Sequence, residues 1–308
     1  VQGRITRLIS KRVTVTGVCL TLVVAAGCGL ASREESHEMP ISTAAGTVGL
    51  PPANDSVEHH SPIDRLPIYW LENMDLGVFL YREYATKNAT GEPIGDSISY
   101  LLNEKPANAE WYTHLKPSGE VGVSMNQDNV ITLDLPEKVF GAKLDRGLSE
   151  RTIQQLVFTA TAAASNAGLL VGSLPPKVRI LVDGRANATV FGDLRLADSY
   201  DRDASFMAPI WIIDPQYGST RKAGQIQFNA RASKFSDGIY YSLESKDKSG
   251  KLTVLTAEEP IPEDKVNPDG SFDFTKQLSV GAYKLTFWGR ESGSEEKIAS
   301  VSSEFTIK

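Results

Sequence analysis

Apolar positions fall in three rhythms along this chain. From Val13 to Gly27 the run VTVTGVCLTLVVAAG is continuous and uncharged. Between about residues 66 and 190, period-2 and period-3.6 stretches alternate. Alternation over two residues places every second side chain on one sheet face, and a 3.6 period places apolar residues along one side of a helix. On that basis residues 66–71 and 78–84 are predicted strands around the turn at 73–77. A helix is predicted over 93–103, with Ile94, Ile98, Leu101 and Leu102 on one face and Pro106 closing it. Residues 121–125 and 130–135 flank Asn126-Gln127-Asp128-Asn129, a hairpin loop by composition. A stronger helix is expected from an N-cap at Ser149, with Glu150 in its first turn, through Ile153, Leu156, Val157, Ala160 and Ala164 to Asn166-Ala167-Gly168. The strand 178–182 then runs into Asp183-Gly184, a two-residue type I′ signal, with a short return at 188–190. The order β-β-α-β-β-α-β implies an α+β unit over 66–196, helices on one face of a mixed or antiparallel sheet.

Beyond the polar link at 197–204 the rhythm becomes uniformly short. Seven strands are expected near 210–213, 225–232, 239–243, 252–257, 271–274, 282–288 and 301–307, with turn pairs such as Asp237-Gly238 between them. This spacing predicts an immunoglobulin-like β-sandwich over 208–308. Tyr283, Leu285 and Phe287 should point inward. Gly281-Ala282-Tyr283 resembles a tyrosine corner, in which the hydroxyl bonds back to the chain.

The first apolar run is too short to be a permanent membrane helix, which needs about 20 residues. Arg4, Arg7, Lys11 and Arg12 precede it without any acidic residue. That combination reads as a secretory signal peptide, residues 1–27, with an uncleaved signal anchor as the alternative. Its end, Ala25-Ala26-Gly27-Cys28, resembles a lipobox, although Ala25 stands where Leu is commonest. The resemblance implies that the Cys28 thiol is alkylated by diacylglycerol and becomes the first residue of the mature chain, carrying palmitate-type acyl chains. Two acyl chains anchor a protein stably where one gives marginal binding. The expected location is the extracytoplasmic face of the cell membrane.

Residues 28–65 contain Pro40, Pro51, Pro52 and Pro62 and no periodicity, so a disordered tether is expected. As a flexible coil it would span about 30–35 Å. The chain's only cysteines are Cys19 and Cys28. Cys19 leaves with the leader, so no disulfide partner exists in the mature protein. The formal net charge of −6 leaves no basic excess to neutralise phosphates, which argues against a nucleic-acid partner.

Three blocks in the first unit resemble a known family: ITLDLPEKVFG at 131–141, TIQQLVFTATAAA at 152–164 and KVRILVDGR at 177–185. In order and spacing they look like the GerM N-terminal (GerMN) domain. The helix departs from it by carrying Ala162, Ala163 and Ala164 in place of larger apolar residues, which implies a closely packed neighbour. GerM-type domains occur in sporulation and germination lipoproteins and in actinobacterial envelope lipoproteins. No catalytic residues are established for them, so none are implied here. The second unit is similar to the immunoglobulin-like domain that follows GerM-type domains in germination proteins.

Candidate chemistry is sparse. Gly-x-Ser-x-Gly, His-Glu-x-x-His and a phosphate-cradling glycine loop are all absent from the sequence. His37, His59 and His60 fall in the tether. Ser245-Lys246-Asp247-Lys248 fits Ser-x-x-Lys only in a charged hairpin. Asp198, Asp201 and Asp203 lack the glycine-bearing loop of a calcium site. Neither metal nor cofactor is expected. Aromatics are plentiful at Trp70, Trp111, Tyr112, Trp211, Trp288, Tyr240 and Tyr241, with Trp70 and Trp211 in apolar strands and so expected in the core. Trp111 and Tyr112, with His114 beside them in a predicted loop, are the candidate binding surface. The expected function is a non-enzymatic, lipid-anchored envelope protein binding partner proteins or cell-wall polymer. A peptidoglycan hydrolase using Asp134, Glu137 and Asp183, or a small-ligand sensor, is the alternative.

Overall fold

A computed structural model describes residues 65–86 and 90–308. The expected signal peptide, Cys28, and the expected tether with its three histidines, up to residue 64, lie outside the described residues.

The first half opens with a hairpin, β1 (Leu66–Met74) and β2 (Gly77–Ala85), paired antiparallel from Leu66↔Ala85 to Met74↔Gly77. Helix α1 (Pro93–Asn103) follows, with Ile94, Ile98, Leu101 and Leu102 buried as the 3.6 spacing requires. Strands β3 (Gly122–Met125) and β4 (Val130–Leu135) pair antiparallel, and β4 pairs parallel with β5 (Lys177–Val182). Asp183 and Gly184 have φ of 49° and 74°, both on the positive side that a type I′ turn demands. Two short strands, β6 (Thr189–Val190) and β7 (Leu194–Arg195), complete this half. The predicted element order therefore stands.

Two features differ from the sequence reading. Helix α2 (Arg146–Asn166) starts one turn early. Its N-cap is Asp145, whose carboxylate accepts the Leu148 N–H at 3.0 Å, while Ser149 is fully buried and spends its hydroxyl on the Asp145 carbonyl. Glu150 instead pairs with Arg146 one turn back. Nor does α2 lie on one face of a single sheet. The β1–β2 hairpin is separate from β3–β4–β5, and α2 packs against the hairpin, α1 and β5. Every residue from Thr152 to Ala164 is buried as a result, which is the situation of a helix enclosed on all sides. Its polar positions are satisfied internally: Thr159 Oγ1 accepts the Tyr69 N–H, and Thr152 and Thr161 donate to Leu148 and Val157 carbonyls. Ala162, Ala163 and Ala164 are at most 1% exposed, in keeping with the close neighbour that their small size implied.

The second half has all seven predicted strands plus one short addition. These are β8 (Ile210–Asp214), β9 (Thr220–Arg221), β10 (Gly224–Ala232), β11 (Ile239–Lys246), β12 (Leu252–Pro260), β13 (Ser271–Leu278), β14 (Gly281–Gly289) and β15 (Ile298–Ile307). They form sheets β13-β10-β8 and β12-β11-β14-β15-β9, an immunoglobulin-like sandwich. Tyr283, Leu285 and Phe287 face its interior, and the Tyr283 hydroxyl donates to the Ser279 carbonyl at 2.8 Å, closing the expected corner. Trp288, on the opposite face of β14, is nonetheless fully buried. Lys297 lies 3.5 Å over its ring and Tyr240 stacks beside it, so it offers no open surface.

Candidate functional site: an aromatic seam between the two halves

Alternation along the β1–β2 hairpin decides what it offers its neighbours. Tyr69 lies against Phe158 of α2, centroids 5.1 Å apart. Trp70, on the other face, is buried and donates its indole N–H to Glu83 at 2.7 Å. Tyr81 sits between two tryptophans with nearly parallel rings, Trp111 at 5.9 Å and 11° and Trp211 at 6.0 Å and 4°. Trp211 also meets Tyr69, and Trp111 meets Tyr217. Since Trp211 and Tyr217 belong to the sandwich half, these five rings join the two halves in one stack. Aromatic pairs at such separations add about 0.5–1.5 kcal/mol each beyond their burial.

Backbone contacts reinforce the stack. The residues just after the polar link pack on β2, with Leu80 bridging Met207 and its carbonyl accepting the Ala208 N–H. At the hairpin tip, the Asp75 carboxylate accepts the N–H of Ala299 in β15 at 3.1 and 3.2 Å. The two halves belong to one compact unit.

The predicted binding trio is split by this arrangement. Trp111 is 7% exposed, a seam residue rather than an exposed loop aromatic. Tyr112 exchanges both backbone hydrogen bonds with Leu71 at 2.9 Å, which adds the segment to the free edge of β1. Strand alternation then turns Trp111 to the seam and Tyr112 away from it. Gln155 of α2 fixes the segment further, donating to the Tyr69 and Tyr112 carbonyls and accepting from Thr113 Oγ1. Tyr112 is half-buried and donates its hydroxyl to Asn73, and His114 meets its ring edge-on at 5.2 Å. Burial, then Lys116, lowers the His114 pKa, and Asp145 opposes them.

One titratable group in the seam was not singled out from the sequence. Glu72 accepts the Trp111 indole N–H at 2.8 Å. Burial raises its carboxyl to about 7, the Trp111 bond pulls it down, and Glu110 pushes it up. Its alternation with Trp70 was readable; its partner, 39 residues away, was not. The space between Tyr81, Trp111, Trp211 and Tyr217 is about 30 Å³. That is room for about one water, not for a substrate.

The acidic candidates meet elsewhere. Asp134 accepts the Gly184 N–H, and Asp183 accepts the Glu137 N–H, with Arg185 facing Glu137 and Asp183. They come together where β4 ends beside the Asp183-Gly184 turn, each side chain tied to backbone or to arginine. Asp198 accepts from Asn187, Asp201 pairs with Lys177, and Asp203 caps a short 3₁₀ turn. Among the described residues no group of His, Cys, Asp and Glu converges to hold a metal. Ser245-Lys246-Asp247-Lys248 straddles the end of β11, where Lys246 pairs with Glu304.

Residues 67–188 match the Germane family, described as sporulation and spore germination. No curated protein matches the chain in sequence. Among solved structures, the first GerMN domain of the sporulation protein GerM from Bacillus subtilis is similar at 14% identity, covering 45% of this chain and 97% of that one, with a TM-score of 0.35. The tandem GerMN domains of the same protein align at 12% identity over 68% and 70%, with a TM-score of 0.37. A first immunoglobulin domain of mouse polymeric immunoglobulin receptor aligns at 14% identity over 33% and 93%, with a TM-score of 0.20. The Germane match thus falls on the α+β half of this chain, residues 67–188, whose hairpin builds the seam.

Proposed function

We propose that this protein is a non-enzymatic envelope protein, held by lipid on Cys28 at the outer face of the cytoplasmic membrane, where its fused halves bind or scaffold envelope proteins or cell-wall polymer. The observation that carries the reading is the seam. The aromatic side chains of the hairpin and of the Trp111 segment are consumed in joining the two halves, and the space left among them holds no substrate. Tyr112 and His114 are the half-exposed remainder of the aromatic loop, available at the seam's rim. The signal and lipobox-like residues supply the address, and the Germane match supplies the sporulation and germination context.

Labelling with radioactive palmitate in a bacterial host, combined with protease treatment of intact protoplasts, tests the reading. Label on the wild-type chain, none on Cys28→Ala, and digestion of the folded halves from outside are expected. An unlabelled wild-type chain, or halves protected from external protease, would refute the anchored location.

A second reading, a wall hydrolase, draws on the meeting of Asp134, Glu137 and Asp183 at one turn. Retaining and inverting hydrolases need one carboxyl held protonated by its surroundings. A cleared band in a peptidoglycan zymogram, abolished by Asp134→Asn, would establish that reading over the binding one.

A further inference from the structure

Among the described residues of the first half, the connection from α2 to β5 is the one segment that displays large apolar side chains together. Residues 167–176, AGLLVGSLPP, contain no charge. Within six positions Leu169, Val171 and Leu174 are 39%, 58% and 57% exposed. Single exposed apolar residues are ordinary, whereas a contiguous group marks a contact surface.

The loop is held in this pose by a buried side chain. Asn129, fully buried in the β3–β4 turn, donates its amide to the Val171 carbonyl at 2.9 Å and the Leu174 carbonyl at 2.8 Å. Its Oδ1 accepts the Val171 N–H at 2.9 Å. The Asn129 carbonyl accepts the Lys177 N–H where the loop rejoins β5. With φ of 57° at Asn129, the position favours asparagine or glycine, and only asparagine supplies the clamp. A loop tied at three points with its leucines outward is a built surface.

The chain's entry point says what this surface faces. Arg65 is the first described residue, and its carbonyl accepts the Asn166 amide at 3.2 Å, at the very end of α2 from which the loop departs. From Cys28 to Arg65 the sequence has 37 steps, an r.m.s. reach of about 30–35 Å as a flexible coil. An anchor on Cys28 therefore tethers the molecule by the end that carries the apolar loop.

We propose that the 167–176 loop is a bilayer-contacting face, with Leu169, Val171 and Leu174 entering the headgroup–acyl boundary beside the anchor. This rests on the anchored reading above. Two acyl chains suffice for retention, so the loop's contribution is orientation: it sets the GerMN half against the lipid.

Photo-crosslinking in the full chain tests the proposal. p-Benzoylphenylalanine replaces Leu174 in one sample and Val280, an isolated apolar residue 72% exposed between β13 and β14 of the sandwich, in another, each in vesicles of phosphatidylglycerol and phosphatidylethanolamine. Lipid adducts at 174 are expected to exceed those at 280 by about tenfold or more, as the burial of a few apolar side chains implies. Asn129→Gly should reduce the 174 signal towards that of 280. Equal lipid labelling at the two positions would overturn the proposal, as would adducts at 174 with a second copy or with residues 28–64 of the same chain. Palmitate labelling of the wild-type chain separates the two failures. An unlabelled chain would remove the anchored reading, while the contrast between 174 and 280, read on vesicle-bound chain, still decides the loop.

Discussion

Two connections in the first half of the fold have opposite fates. The segment after α1 carries Trp111 and Tyr112 amid polar residues, yet it is drawn onto the free edge of β1 and buries its tryptophan in the seam. The connection after α2 carries leucines and a valine, yet it is held outward by Asn129. Residue type alone would have sorted them nearly the other way. What decides is whether a strand edge and an aromatic partner lie within reach, or a buried amide does instead.

The largest expected effect lies in the seam. Trp211→Ala removes the ring that meets both Tyr69 and Tyr81. Truncating a buried tryptophan costs about 3–5 kcal/mol, and here the loss falls on the joint. Thermal unfolding should shift sharply downward, and limited proteolysis should begin cutting near 197–208. An unchanged melting curve would mean that the stack does not join the halves.

Asn129→Gly comes next. It keeps the positive φ while removing three hydrogen bonds to the 167–176 loop. At about 0.5–1.5 kcal/mol net per bond, a loss of about 2 kcal/mol is expected. Hydrogen exchange should speed up at Val171 and its neighbours and stay unchanged in the seam. Faster exchange throughout would erase the distinction between a clamped loop and the rest.

The smallest effect is a pH dependence in the seam. Burial raises the Glu72 carboxyl from 4.5 to about 7, so the folded state holds that proton more tightly than the unfolded chain. Its contribution to stability is full below about pH 4.5 and is lost as pH rises to about 7. The group is partly open to water, which limits the change to about 1–2 kcal/mol. Glu72→Gln should flatten the stability profile in that window. A profile as steep as the wild type's would place the titration elsewhere.

Local pattern made most of the fold legible. The clean alternation through Tyr283, Leu285 and Phe287 and the Asp183-Gly184 turn each encode their geometry within a few residues. Helix α2 was found but misplaced by a turn. Ser149 and Asp145 are both good caps, and only packing selects the one left at the surface. Its enclosure on all sides was hidden because Thr152, Gln155 and Thr159 read as polar, while in the fold they bind the neighbouring hairpin and loop backbone or α2's own carbonyls. The seam was illegible for a related reason: Glu72 and Trp111, or Tyr81 and Trp211, are brought together by tertiary folding across 39 and 130 positions. The apolar loop was readable as LLVGSLPP, but its exposure depends on Asn129, 42 residues from Val171.

Hydroxyl-radical footprinting of the full chain, with each side chain's oxidation normalised to its rate in the unfolded protein, tests the contrast between the two connections most directly. Trp111 and Trp211 should be strongly protected, while Leu169, Val171 and Leu174 should keep a large part of their unfolded rates. Trp111 reacting at its unfolded rate, or the three loop residues protected in the absence of lipid, would contradict the account.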